Sequence, residues 1–343
     1  MLSRALRPAL ITLPKPSITP YKKRKGRGIM THSGHYALSH VTESFLLMGT
    51  TVTFQVVGHK PIHDIQKSIQ RALTAMTTVE QICSRFDENS ALNQLCQQPG
   101  KKVAVPPILF HVLRMSCELA SITNGVFDPT VGSQLEQLGF NQHYLTGQIV
   151  SSHPQLYDEG ASYRDITLFE DDLSVCLNKP MQLDLGGIAK GLAIDLAAKE
   201  LAEYEGFAIN AGGDIYVFGI DPQGDAWTIG IENPLSPHTL IGTVQVTNMA
   251  ICTSGSYKRK SPSNPLVHHL YNPLTAQVAT GLLSCTVMAP LAVVADSHAT
   301  AAFLLGPQDG LTFLTDMGFA GLFITEHMER LLTPLMPIKE YLP

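Results

Sequence analysis

The sequence predicts an α+β fold, and three observations predict it. Strand-like and helix-like runs do not alternate strictly as βαβ units, which argues against a doubly wound parallel sheet. Neither GxxxxGK nor GxGxxG occurs, so no P-loop or dinucleotide fingerprint organises the chain. A length of 343 residues at 44% hydrophobic content can bury one large core or two closely packed lobes.

The elements follow from periodicity and punctuation. Phe45 to Val57 alternates as a strand and runs through Gly58-His59-Lys60-Pro61 into an amphipathic helix from Ile62 to Cys83. Ile108 to Thr123 reads as a second helix, and residues 145 to 182 as strands and turns. Ile188 to Glu205 is a third helix, and Phe207 to Val217 a strand ending in a turn. Trp227 to Ile231, Gly242 to Val246 and Leu283 to Ala289 are further strands. Pro290 suits a first helical position, and Leu291 to Leu305 then runs apolar at helical spacing until Gly306-Pro307 stops it.

Two segments carry chemistry. Leu183-Asp184-Leu185-Gly186-Gly187-Ile188-Ala189-Lys190-Gly191 places a carboxylate, a glycine pair and a lysine at the mouth of a helix. Backbone N–H groups of glycines approach an anion closely, the helix dipole favours negative charge there, and Lys190 adds a cation, so the segment suits a phosphate. The plainer reading is a strand-to-helix turn with Asp184 as the cap. In the apolar helix from 291, Asp296 and Thr300 stand one turn apart on one face, hard oxygen ligands of the kind Mg²⁺ accepts beside phosphate. The plainer reading here is a Thr300 bonded to the preceding turn and an Asp296 that meets a buried partner.

Composition narrows the function classes. A net charge of −5, one Trp and no basic, aromatic-interleaved patch argue against a nucleic-acid partner. Cys83, Cys96, Cys117, Cys176, Cys252 and Cys285 lie singly in apolar segments and form no CxxC, the usage of reduced core thiols. Residues 1–42 form a basic arm, read as disordered, with no acid before Glu43 and an apolar run too short for a signal peptide or membrane span. Residues 43–343 then form a single domain. The expected compartment is the cytoplasm, with an organelle-targeting leader and export as the other readings.

A wider set of blocks carries a resemblance. Met48-Gly49-Thr50-Thr51, Ser84-Arg85-Phe86-Asp87-Glu88-Asn89-Ser90-Ala91-Leu92-Asn93, Gly125-Val126-Phe127-Asp128-Pro129-Thr130-Val131-Gly132 and Asp184 to Gly191 come first. Asn210-Ala211-Gly212-Gly213-Asp214, Thr253-Ser254-Gly255-Ser256-Tyr257, His269-Leu270-Tyr271-Asn272-Pro273 and Ala295-Asp296 to Thr300 follow. In this order they resemble the ApbE-type flavin transferases, the FAD:protein FMN transferases, over most of the chain. The resemblance implies mixed, largely antiparallel sheets with packed helices in a T-fold-related architecture. It implies transfer of the FMN half of FAD to a threonine or serine hydroxyl of an acceptor flavoprotein, with release of AMP and with Mg²⁺ as cofactor. By the same resemblance Asp296 and Thr300 hold the Mg²⁺ with the carbonyl of Gly187, a position often alanine in the family. Asp184 and Lys190 contact FAD, and Met48, Phe86, Val126, Phe127, Asp128 and Leu270 line its rings and ribose.

His269 is the candidate general base, since an imidazole titrates near neutrality; His268 is its neighbour, and Asp296 is the other candidate proton acceptor. The Asn210 to Asp214 block reads as architecture, a glycine turn bridged by Asp214. The chain departs from the family at Asn272 and Ser256, where an acid is usual, and both changes remove negative charge. An FAD pyrophosphatase giving FMN and AMP, and a protein that binds FAD without turnover, are the alternative functions.

Overall fold

In the computed structural model, residues 38–143, 147, 149, 157–158, 160–236, 238–262 and 264–340 are described. The basic arm of residues 1–37 lies outside them. Among the described residues the first strand begins at Ser39, and Ser39 to Glu43, upstream of and including the expected boundary, pair with a neighbouring strand.

The centre is an eight-stranded antiparallel sheet in the order β1-β2-β6-β7-β10-β13-β14-β15. Its strands are β1 (Ser39–Leu47), β2 (Thr50–Gly58), β6 (Gly206–Ala211), β7 (Asp214–Gly219), β10 (Met249–Gly255), β13 (Leu282–Ala289), β14 (Ala320–Thr325) and β15 (Arg330–Leu332). The single strand expected from Phe45 is a hairpin instead. Met48 and Gly49 both adopt positive φ, at 53° and 74°, and turn β1 back on β2. Likewise the run from Phe207 is two strands reversed at Gly212-Gly213, with φ of 69° and 104°.

Helices cover one face of this sheet. They are α1 (Ile62–Cys83), α2 (Ala91–Cys96), α3 (Pro107–Ile122), α4 (Gly132–Gln137), α5 (Ala189–Leu201), α6 (Ala292–Leu305) and α7 (Pro307–Asp316). Alternation decides the faces. Val52, Phe54 and Val56 of β2 point to the helices and are fully buried, packing with Ile65, Ile69 and Met76 of α1. The other face carries a smaller cluster of Val217, Ile251, Leu322 and Ile324. Onto it packs a second sheet, β16-β9-β8, of β8 (Trp227–Glu232), β9 (Leu240–Val246) and β16 (Lys339–Glu340). A third sheet joins β3 (Lys102–Ala104), β5 (Ser174–Leu177) and β4 (Ile166–Phe169), and β11 (Tyr271–Asn272) pairs with β12 (Gln277–Val278). Every pairing is antiparallel, so the expected fold class holds.

Two helix boundaries moved for physical reasons. Helix α6 starts at Ala292, not at Pro290, because Asp195 on α5 accepts hydrogen bonds from the N–H groups of Ala292 (2.8 Å) and Val293 (2.9 Å) and caps the helix from outside its own sequence. Helix α5 ends at Leu201, four residues early, where the chain must turn into β6. All six cysteines are free thiols. Among the described residues no helix is long and apolar enough to cross a membrane.

Candidate functional site

The site lies where the loop before α5 meets α6 and the ends of β7 and β10. Asp184 is not the cap of α5. Its Oδ1 accepts the Gly186 N–H at 2.8 Å and tightens the loop, while Ile188 occupies the cap position without a side-chain bond. Gly186 and Gly187 thus precede the helix N-terminus without side chains, leaving a backbone cradle suited to an anion.

Lys190, in the first turn of α5, is clamped rather than mobile. Its ammonium pairs with Asp214 at the start of β7 and lies 3.1 Å from Asp296 Oδ1. Asp296 Oδ2 accepts the Gly191 N–H at 2.9 Å. Burial alone would lower the lysine pKa, but the two carboxylates hold it above its ordinary value. Burial pushes the Asp296 carboxyl up to about 6; Lys190 opposes this and Asp214 adds to it. Asp214 therefore does not bridge its own turn, contrary to the expectation from the sequence. Asn210 does so, its Oδ1 accepting the Gly213 N–H at 2.9 Å, while Asp214 Oδ1 accepts the Thr253 N–H at 3.2 Å.

Asp296 and Thr300 share a face of α6, and both are buried. Thr300 does not bond the preceding turn. Its hydroxyl shares a 2.9 Å hydrogen bond with Ser254 of β10. The backbone at Gly187 lies against it, since a Cβ there would stand 3.3 Å from Thr300 Oγ1. The Asp296 carboxylate and Thr300 hydroxyl form an all-oxygen pair beside the Gly187 backbone, and two buried carboxylates face one ammonium, so the charge balance favours one further cation. A hard divalent ion that keeps water and phosphate ligands fits such a set. Among the described residues no cluster of three or more His, Cys, Asp or Glu could hold a metal, which leaves no zinc-like set.

The other wall is built around Arg85, which sequence reasoning did not single out. It is 5% exposed, and its guanidinium pairs with Asp184, bonds the Phe140 carbonyl, approaches Glu136 (3.8 Å) and lies 4.2 Å over the Phe86 ring. Burial pushes the Asp184 carboxyl up, but the Arg85 charge and the Gly186 N–H outweigh it and hold the pKa below the usual range. The residue order Ser-Arg-Phe carried no signal, because the carboxylate that Arg85 meets is ninety-nine positions away.

His269 stands edge-on to Phe140, with ring centroids 6.3 Å apart, and its buried Nδ1 has no hydrogen-bond partner. Burial, then the charges of Arg259 and His268, push its pKa down to about 3, so the ring is neutral; contrary to the expectation from the sequence, it does not titrate near neutrality and is a weaker base than an exposed imidazole. His268 differs. Its Nε2 meets the Ala279 carbonyl at 2.9 Å and its Nδ1 accepts the Leu270 N–H at 3.2 Å, a structural role on both nitrogens.

The remaining candidates connect to this centre unequally. Phe127 Cε2 would stand 3.4 Å from a Cβ at Gly187, although Phe127 also packs into a small core with Leu119 and Ala301. Asp128 is occupied by Thr130 and by the Tyr163 N–H at 3.0 Å, which makes it a loop clamp. The Asp184 N–H donates to the Pro129 carbonyl at 2.8 Å and joins that loop to the glycine cradle. Leu270 is buried beside Val126, and the Met48 N–H donates to Glu80 Oε1 at 2.8 Å at the hairpin tip.

The ApbE family profile matches residues 48–323. A protein of Treponema pallidum (strain Nichols) named FAD:protein FMN transferase is 26% identical over 324 residues, covering 87% of this chain and 88% of that protein. One of the same name from Rhodobacter capsulatus is 31% identical over 244 residues, covering 69% of this chain and 46% of that protein. The ApbE protein of Thermotoga maritima has a crystal structure similar at a TM-score of 0.75 and 27% identity, covering 86% of this chain and 97% of that one. The Flavin Transferase ApbE from Vibrio cholerae, at 22% identity and a TM-score of 0.73, shares the fold.

Proposed function

The chain belongs to the ApbE family, and from that premise we propose that it is a transferase that moves the FMN moiety of FAD to a threonine or serine hydroxyl of an acceptor flavoprotein and releases AMP. The observation that carries this reading is the juxtaposition of the glycine cradle before α5 with the buried Asp296, Thr300 and Lys190 cluster, a place for a pyrophosphate beside a place for a cation.

The acceptor hydroxyl oxygen forms a bond to the flavin-side phosphorus, and the bond from that phosphorus to the bridging pyrophosphate oxygen breaks. The electron pair leaves with AMP. His269 accepts the hydroxyl proton at its unpartnered Nδ1. The N–H groups of the cradle and the α5 dipole orient the pyrophosphate, and Arg85 fixes Asp184 against the bound nucleotide. Asp296, Thr300 and the Gly187 carbonyl would hold Mg²⁺, which when bound neutralises charge on the phosphates. Phe86, with Arg85 across its ring, offers an aromatic surface for one of the ring systems of FAD.

The test is incubation with FAD, Mg²⁺ and a flavoprotein acceptor, read by mass spectrometry of the acceptor and chromatography of the nucleotides. An FMN-sized mass gain with AMP release, lost in Asp296→Ala, is the expected result. Free FMN and AMP with an unmodified acceptor would make the protein a pyrophosphatase, and bound, intact FAD would make it a binding protein.

A further inference from the structure

We propose that the acceptor protein docks as an extended, acidic segment along the outer edge of β8, in a trench that leads over the Gly212-Gly213 turn to the catalytic cleft. This rests on the transferase reading above.

Strand β8 pairs with β9 on one side and, among the described residues, with no strand on the other. Alternate N–H and C=O groups of such an edge point outward, a template for one more strand. Two cavities of about 550 and 470 Å³ lie between this edge and the open face of the central sheet. They share Asn210, Ile215 and Ile229, and so form one trench along the length of β8. Thr51 and Thr53 line it from β2, small side chains that leave room for a backbone. A six-residue segment spans about 20 Å when extended, the reach of β8 itself.

One end of the trench lies beside the active site, across the end of the central sheet. Thr253 lines it, and the Thr253 N–H donates to Asp214, the partner of Lys190. The lip between the two is Gly212-Gly213, which carries no side chain for a crossing chain to clear.

Charge selects the occupant. Lys258, Arg259 and Lys260 are exposed consecutive cations at this end. Lys258 lines the trench, where it meets Glu232 at 2.9 Å. Arg259 acts electrostatically on Asp184 and His269 inside the cleft. Glu232 and Asp221 also line the trench, so the positive run is confined to its cleft end, where a segment with acidic residues beside its hydroxyl complements it.

The experiment uses twelve-residue peptides with one threonine, and no other hydroxyl, in a Gly/Ala/Gln background with three flanking Asp, Asn or Lys residues, assayed with FAD and Mg²⁺ for FMN mass gain and AMP release. Transfer to the Asp peptide should exceed that to the Asn peptide about tenfold in kcat/KM and fall steeply with salt. The preference should vanish in Lys258→Glu, and Ile229→Arg, which fills the trench, should lower transfer at least tenfold while flavin fluorescence still reports FAD binding. Backbone N-methylation of the Asp peptide at alternate residues should lower it similarly, with no change to the protein. Equal transfer to all peptides, insensitivity to the two variants and to N-methylation, or AMP release with no peptide modified would overturn the trench and leave the flavin chemistry standing. Absence of both AMP release and FMN transfer, even with an intact flavoprotein acceptor, would overturn the transferase reading and the trench with it.

Discussion

The ammonium of Lys190 and the carboxylate of Asp296, one on α5 and one on α6, meet at 3.1 Å in a buried site where Asp214 adds a second negative charge. Removing the ammonium leaves two buried carboxylates facing each other. Lys190→Met should therefore cost roughly 3–5 kcal/mol, the usual loss when one partner of a buried ion pair is deleted. Added millimolar Mg²⁺ should restore more of the melting temperature in the variant than in the parent protein. Calorimetry with and without Mg²⁺ checks both, and an unchanged melting temperature would show that the cluster is not electrostatically strained.

Gly191 and Gly187 respond differently to the same substitution. A Cβ at Gly191 would stand 2.5 Å from Val293 Cα, in backbone that cannot yield, so Gly191→Ala should separate α5 from α6 and destabilise by about 1–3 kcal/mol or more. A Cβ at Gly187 meets Thr300 Cγ2 at 3.1 Å, and a shift of a few tenths of an ångström relieves it. Gly187→Ala should thus cost under about 1 kcal/mol. Urea unfolding of the two variants decides; equal losses would mean the helix contact is not as tight as described.

Asp195 caps α6 from α5, so Asp195→Ala should cost about 1–2 kcal/mol, measured by chemical denaturation. Its titration has a sign. Burial, only partly offset by the Val293 and Ala292 N–H groups, raises the carboxyl from 3.8 to about 6. A raised carboxylate favours the protonated folded state, so this contribution is present below pH 3.8 and lost as pH rises through 6. Asp195→Asn should therefore flatten the decline in stability between about pH 4 and 7, and an unaltered profile would remove Asp195 as its source.

His269 has the opposite shift. Its folded pKa of about 3 against 6.5 when unfolded means the neutral ring stabilises the fold above pH 6.5, and that contribution fades as pH falls from 6.5 toward 3. In the free protein its imidazole NMR signals should not titrate between pH 5 and 8. His269→Gln should lower FMN transfer about 10²-fold or more while leaving FAD binding in place. Titration of His269 near pH 6.5 would contradict the buried, neutral ring.

Arg85→Lys keeps the charge but loses the fork that reaches Asp184, Phe140 and Phe86 together. The KM for FAD should rise several-fold with a smaller change in kcat, as steady-state kinetics would read, because the residue positions the cradle without touching the reacting atoms. A fall in kcat alone would place Arg85 in the chemistry instead.

What the sequence determined was local. Period-two and period-3.6 patterns located α1, α3, α5, α6 and the strands around residues 227, 242 and 283, since each burial pattern is written within its own segment. The glycine cradle and the Asp296/Thr300 face were legible for the same reason, one being a turn requirement and the other a spacing of four. The hairpin at Met48-Gly49 was not, because Met48 at φ 53° gives no compositional mark, a lone Gly49 does not fix a turn, and the apolar alternation runs on through both. Helix α7 and strand β14 went unread beyond the Gly306-Pro307 stop. Tertiary structure alone decided that Lys190 faces Asp214 and Asp296, that Arg85 holds Asp184, that Asp195 caps α6 and that His269, not His268, keeps a ring nitrogen unpartnered. These pairings join positions up to 106 residues apart, and charges take their partners from whichever chain segment the packed sheet and helices bring beside them.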